Sequence, residues 1–156
     1  MQKRSSLVWP AVAAVVGVAA AAAATAFSVA HDRVSLKPIA ASTAMPRQQA
    51  ERTAQSTVRL WAQEVRAGHR ANLTALTCKG SRDDSPEAQR LASVGKPGTP
   101  VEILGFSEFT EDDTSHWSMM VFFFWPGGSD TGKVFHFAVE DDELRLCDVT
   151  APPTLG

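Results

Sequence analysis

Apolar side chains keep a helical spacing before residue 95 and a strand-like spacing after residue 101. Ala54, Val58, Trp61 and Val65 recur at spacings of 4, 3 and 4, which places them on one stripe of a helix. Gly68 supplies its C-terminal stop. Leu73 and Leu76 predict a short second helix ending near Cys78. "DDSPEAQRLASVG" predicts a third, with Ser85 or Asp84 accepting from its first amides and Pro86 in the first turn. Leu91 and Val94 then face inward, and Gly95 ends the helix. "GKPGTP", residues 95–100, breaks the pattern.

Four strands are predicted beyond it: "VEILGFSEF" (101–109), "HWSMMVFFFW" (116–125), "KVFHFAVE" (133–140) and "LRLCDV" (144–149). "TEDDTS", "PGGSDTG" and "DD" read as hairpin connections. Helices followed by a meander define an α+β class: N-terminal helices packed on one face of a curved four-stranded antiparallel sheet.

The second strand is apolar on both faces. Trp117, Met119, Val121, Phe123 and Trp125 form one set; His116, Ser118, Met120, Phe122 and Phe124 form the other. A connection centred near Ser129 pairs Phe135, Phe137 and Val139 with Phe123, Val121 and Met119, and that set, facing Trp61, is the expected core. Met120, Phe122 and Phe124 are left on the opposite face beside His136 and Ala138. Three bulky side chains there are enough to mark a partner or ligand surface, unless the sheet's own curl or the preceding chain covers them.

Cys78 and Cys147 are the two cysteines, and an even count in an exported chain reads as one disulfide. A two-residue turn at Asp141-Asp142 pairs Val139 with Leu144 and Phe137 with Leu146, which turns Cys147 away from the core. One extra residue between 140 and 147 is therefore expected.

The compartment follows from the N-terminus. Residues 5–30 carry no charge and follow Lys3 and Arg4. Leu7 to Ala30 is 24 residues, long enough as a helix to cross a hydrocarbon core. The basic pair marks the cytoplasmic side, so the chain beyond residue 30 is expected outside the cytoplasm. The length favours a retained anchor in the cell membrane; Ser28-Val29-Ala30 before His31 is also an acceptable cleavage site for a secreted form. "HDRVSLKPIAASTAMP", residues 31–46, reads as a tether, residues 47–150 as the α+β domain, and 151–156 as a flexible tail.

After residue 30 there are thirteen Lys and Arg against seventeen Asp and Glu, a net charge of −4. An acidic domain without a basic stripe is a poor nucleic-acid partner. Arg outnumbers Lys, Asn occurs once and Tyr is absent, a bias that fits a GC-rich bacterial genome.

Catalytic landmarks are missing. There is no Gly-x-Ser-x-Gly elbow and no Gly-rich phosphate loop before a helix. His69 reads as a surface residue after Gly68, and Asn72 as a helix cap rather than a glycosylation acceptor. The expected pairing sets His136 opposite Phe122 and leaves His116 six residues away, about 20 Å along a strand, too far to share a metal. No catalytic residue, metal or cofactor is called for.

"TVRLWAQEVRAGHRANLTALTC", the meander, and "LRLCDV" with Cys147 just before an Asp together resemble the nuclear transport factor two-like, or cystatin-like cone, superfamily. The likeness is to the small exported domains of that type that follow an N-terminal anchor in actinobacteria. It implies a cone able to hold an apolar ligand and a sheet able to form dimers. Isomerases, dehydratases and binding modules all occur on that fold. The Tyr that its steroid isomerases use cannot be carried over to a chain without Tyr. The reading is a membrane-tethered binding or assembly domain that docks Met120, Phe122, Phe124 and His136 against a second copy or an envelope protein. The alternative is a carrier or enzyme holding a small apolar ligand in the cone.

Overall fold

The computed structural model describes residues 33–82, 85–124 and 131–153. The expected anchor or signal helix (1–30), Trp125 with most of its loop, Asp84 and the last three residues lie outside the described residues. Among the described residues no helix is long and apolar enough to cross a membrane. A unit boundary falls between Arg33 and Val34, and every element named below lies after it.

Three helices precede the sheet: α1 (Arg47–Ala67), α2 (Arg70–Leu76) and α3 (Pro86–Val94). A 3-10 turn, Lys79–Ser81, separates α2 from α3. The strands are β1 (Glu102–Glu111), β2 (His116–Phe124), β3 (Thr131–Glu140) and β4 (Glu143–Thr150), hydrogen-bonded in chain order and antiparallel throughout. The stripe Ala54, Val58, Trp61, Val65 is buried, and Gly68 closes α1 at φ 75°. Ser85 caps α3 by accepting from the Ala88 amide at 3.0 Å. Gly95 ends α3 against α1: a Cβ there would meet the Trp61 ring at 2.3 Å, so no larger residue fits.

The core lies between α1 and the expected sheet face. Trp117, Met119, Val121, Phe123, Phe135 and Phe137 are all buried. The Trp61 ring meets Phe135 edge-on at 5.4 Å and Phe123 at 6.3 Å. Edge-to-face contact suits rings whose faces are electron-rich and whose edges are electron-poor.

The β2–β3 register differs from the expected one by four residues. Met119 pairs with Phe135 and Trp117 with Phe137. An even shift preserves which side chains share a face, so the core set survives it. The observed register brings Gly132 opposite Phe122; a Cβ on Gly132 would lie 3.3 Å from that ring, so the glycine makes room for it.

The expected extra residue in β4 is Cys147. Phe137 pairs with Leu146 but His136 with Asp148, which leaves Cys147 as a bulge. The turn before it has positive φ at both Asp141 and Asp142, the backbone of a two-residue hairpin turn. Cys147 is joined to Cys78, with the Cα atoms 4.8 Å apart. The segment leaving α2 comes alongside β4 at the same place: Thr77 bridges Leu146, and the Cys78 amide donates to the Leu146 carbonyl at 3.0 Å.

The expected tether is shorter than read from the sequence. Ala40 bridges Glu143, the Leu144 amide donates to the Ile39 carbonyl at 2.8 Å, and Ala41 is buried. Residues 34–46 thus belong to the domain, because β4 would otherwise be an open edge with unpaired backbone groups. Residues 151–153 are exposed and irregular.

The bond joins residues 69 positions apart, so its loss frees a long loop in the unfolded chain. The Cys78→Ala/Cys147→Ala double variant is expected to lose about 4 kcal/mol of unfolding free energy. Urea denaturation checks this; a loss under about 1 kcal/mol would show that β4 and the helices hold together without the bond.

Candidate functional site

The outer sheet face divides into an apolar end and a polar end. Phe122 is 42 % exposed and Phe124 40 %. Met120, expected beside them, is buried, so it supports the patch rather than forming its surface. Leu104, which strand periodicity does not single out, joins the patch at 51 % exposure. Ile103 pairs with Phe123 and Gly105 with Phe122, so Leu104 is a bulged residue pushed out beside Phe122. Together the three side chains offer on the order of 300 Å² of apolar surface.

A second irregularity in β1, at Glu108 with φ 51°, shifts the phase again. Ile103, Phe106 and Phe109 consequently all join the core at spacings of three, where strict alternation would send Phe106 outward. One β1 carbonyl and the carbonyl of the residue just before the strand are engaged from α1. Arg66 donates to the Val101 carbonyl at 2.7 Å and Arg47 to the Phe109 carbonyl at 2.6 Å. The Arg59 guanidinium lies 4.7 Å from the Phe106 ring centroid. Bulges and engaged carbonyls make β1 a poor template for another strand, while residues 39–41 and Thr77–Cys78 lie along β4. The exposed apolar surface of the sheet therefore lies on its face rather than along its edges.

The polar end contains His136, which is half-buried and shares a hydrogen bond of 2.9 Å with the Thr150 hydroxyl. It sits opposite Ser118, and His116 opposite Ala138, so the two histidines are diagonal neighbours about 7–8 Å apart rather than six residues apart. The expected separation of about 20 Å between the two histidines does not hold. Orientation separates them instead: His116 Nδ1 lies 2.8 Å from Asp113 in the adjoining turn, whereas His136 engages Thr150. Among the described residues no group of three or more His, Cys, Asp or Glu is placed to hold a metal ion.

Sequence reasoning missed a polar cluster under the helices. Glu64 is buried in α1, and its Oε2 lies 2.8 Å from His69 Nδ1 and 2.8 Å from Asn72 Nδ2. Asn72 Oδ1 accepts from the Ser35 amide at 3.0 Å. His69 is therefore more than a surface residue, and Asn72 is no cap; the cap position of α2 is His69 itself. A carboxylate holding an imidazole can orient a base, but here Asn72 spends the same carboxylate on fastening residue 35 to the domain. The only signal in the sequence was Glu64 lying one residue from the apolar stripe.

Comparison with protein families, curated proteins and solved structures finds no match to this chain.

Electrostatics give the fold an acid limit. Burial pushes the Asp148 carboxyl up, but the Arg90 fork at 2.7 Å, the Val149 amide and nearby charge outweigh it and hold the carboxyl below its usual range. Asp113 is lowered to about 2, chiefly by the Ser115 amide, with help from His116. Lys79, at 2.6 Å, lowers Asp141. Carboxyls lowered in the folded state contribute stability that is present above their unfolded value near 3.8 and is lost as pH falls through the folded values. The urea midpoint should accordingly be flat from pH 7 to about 5 and fall below about pH 4. Asp148→Asn should make that acid fall shallower; an unchanged profile would mean that the Arg90 pair adds nothing to stability.

Proposed function

We propose that this chain is a membrane-tethered, extracytoplasmic binding and assembly domain of the cone-like type, and that it works without catalysis. The observation that carries the reading is the exposed cluster Leu104, Phe122 and Phe124 on a sheet whose edges are poor templates for pairing. The occupant is a second copy of the chain, meeting face to face. Its patch is small beside the roughly 800 Å² per partner of a standard stable interface, which suits a weak association. Holding both copies on one membrane by the apolar run at residues 5–30 raises their effective concentration, as a linker does. An enclosed apolar ligand is the less supported reading, because Trp61, Phe123 and Phe135 fill the space between α1 and the sheet.

Light scattering on oxidised residues 34–156, across micromolar to millimolar concentration, tests the occupant. Wild type should pass from monomer to dimer, and Phe122→Ser/Phe124→Ser should stay a folded monomer throughout. A wild-type monomer that binds an apolar dye, with the dye lost in the variant, would replace the second copy by an envelope protein. Monomer without dye binding would end the docking reading.

A further inference from the structure

A separate feature lies among the helices. A cleft of about 390 Å³ opens between α1, α2 and α3, and none of the four strands lines it. Its size falls within the roughly 300–1,000 Å³ of small-molecule pockets. Trp61, Leu73 and Leu91 supply apolar surface, and Arg70, Arg82 and Ser81 supply polar groups. These are two chemistries that one ligand could use at once.

The polar groups are arranged rather than scattered. Arg82 donates from Nε and Nη2 to the Thr77 carbonyl at 3.3 and 3.2 Å, which fixes the plane of its guanidinium and leaves other N–H donors for a ligand. Among the described residues the Arg70 side chain has no hydrogen bond or ion pair, and no Asp or Glu lines the cleft. Ser81 is 94 % buried, and its hydroxyl likewise has no partner among the described residues. The Ser81 oxygen is open enough to the cleft to meet water or a ligand. In a domain of net charge −4, two guanidiniums lining one cleft with no carboxylate among the described lining residues mark a place where an anion is favourable.

We infer that this cleft binds an amphiphilic anion: a carboxylate or phosphate head held by Arg70, Arg82 and the Ser81 hydroxyl, with a short apolar chain against Trp61, Leu73 and Leu91. A planar guanidinium matches either head through paired N–H donors, whereas a neutral head offers no charge to hold. The site is distinct from the outer sheet face and stands or falls without it.

Photolabelling of the full chain in phosphatidylcholine bilayer discs tests the inference. Three diazirine-bearing C12 probes are compared, namely the fatty acid, the alkyl phosphate and the alcohol, and adducts are mapped by peptide mass spectrometry. The anionic probes should label residues 61–97 about tenfold more than the alcohol, as charged hydrogen bonds imply. Labelling by the fatty acid alone would identify a free carboxylate as the ligand type, and by the phosphate alone a lipid phosphate head. Arg70→Gln should cut the labelling severalfold, and its unpartnered side chain makes it safe for folding. Arg70→Gln/Arg82→Gln should abolish the anion preference. Phe122→Ser/Phe124→Ser should leave it unchanged, which separates this site from the docking face. Equal labelling by the alcohol, indifference to Arg70→Gln, or adducts confined to residues 102–124 would overturn the inference.

Discussion

The Cys78–Cys147 bond makes a demand on the sheet that regular pairing cannot meet. Leu144, Leu146 and Val149 are all buried core residues of β4, and alternation from Leu146 would turn Cys147 away from the helices. One unpaired residue resolves the conflict: with Cys147 bulged, Val149 returns to the core and the sulfur reaches Cys78. Around that point α2, its exit at Thr77–Cys78 and the β3–β4 turn become one assembly. Arg145 ties it further, donating to the Ala75 carbonyl and lying 2.6 Å from Glu143, and Lys79 pairs with Asp141. The edge strand is thus fastened to the helical layer by a covalent bond, backbone pairing and buried charge.

Irregularity serves the opposite edge differently. In β1 the two bulges bring Ile103, Phe106 and Phe109 to the core while pushing Leu104 outward. The same distortion that closes the core on one side builds the apolar patch on the other. Phe122 and Phe124 complete it from β2, whose apolar outer face the core does not use. The link from fold to proposed function runs through this: a core complete on one face leaves the second face available to a partner.

Much of the fold was legible in the chain because its signals were local. The stripe on α1, the Ser85–Pro86 start of α3, the stop at Gly68 and the four strands each rest on a few neighbouring residues. Even the bulge at Cys147 could be argued, since a disulfide and a hairpin register gave two conditions on one residue. What escaped depended on contacts distant in sequence. Leu104 needs the pairing partners of Ile103 and Gly105, and Glu64 needs His69, Asn72 and Ser35 brought together. Residues 34–46 have no period of their own; they are ordered by the edge of β4. The β2–β3 register was misplaced because the glycine-rich connection fixes no single centre, and the room Phe122 needs over Gly132 is invisible until the strands are paired. At the site, Phe122 and Phe124 were legible as the surplus of a doubly apolar strand. Burial of Met120 was not.

If the apolar outer face serves a partner, Leu104, Phe122 and Phe124 are surplus to folding. Urea unfolding of Phe122→Ser/Phe124→Ser, at dilutions where every form is monomeric, measures this against Phe135→Ala from the buried core. If they are surplus, the surface pair together loses only about 2–3 kcal/mol, since each ring is already about two-fifths in water. For Phe135→Ala the expected loss is about 3–5 kcal/mol. A loss of about 6–10 kcal/mol for the surface pair together would contradict this, for those rings would then belong to the core of the fold itself.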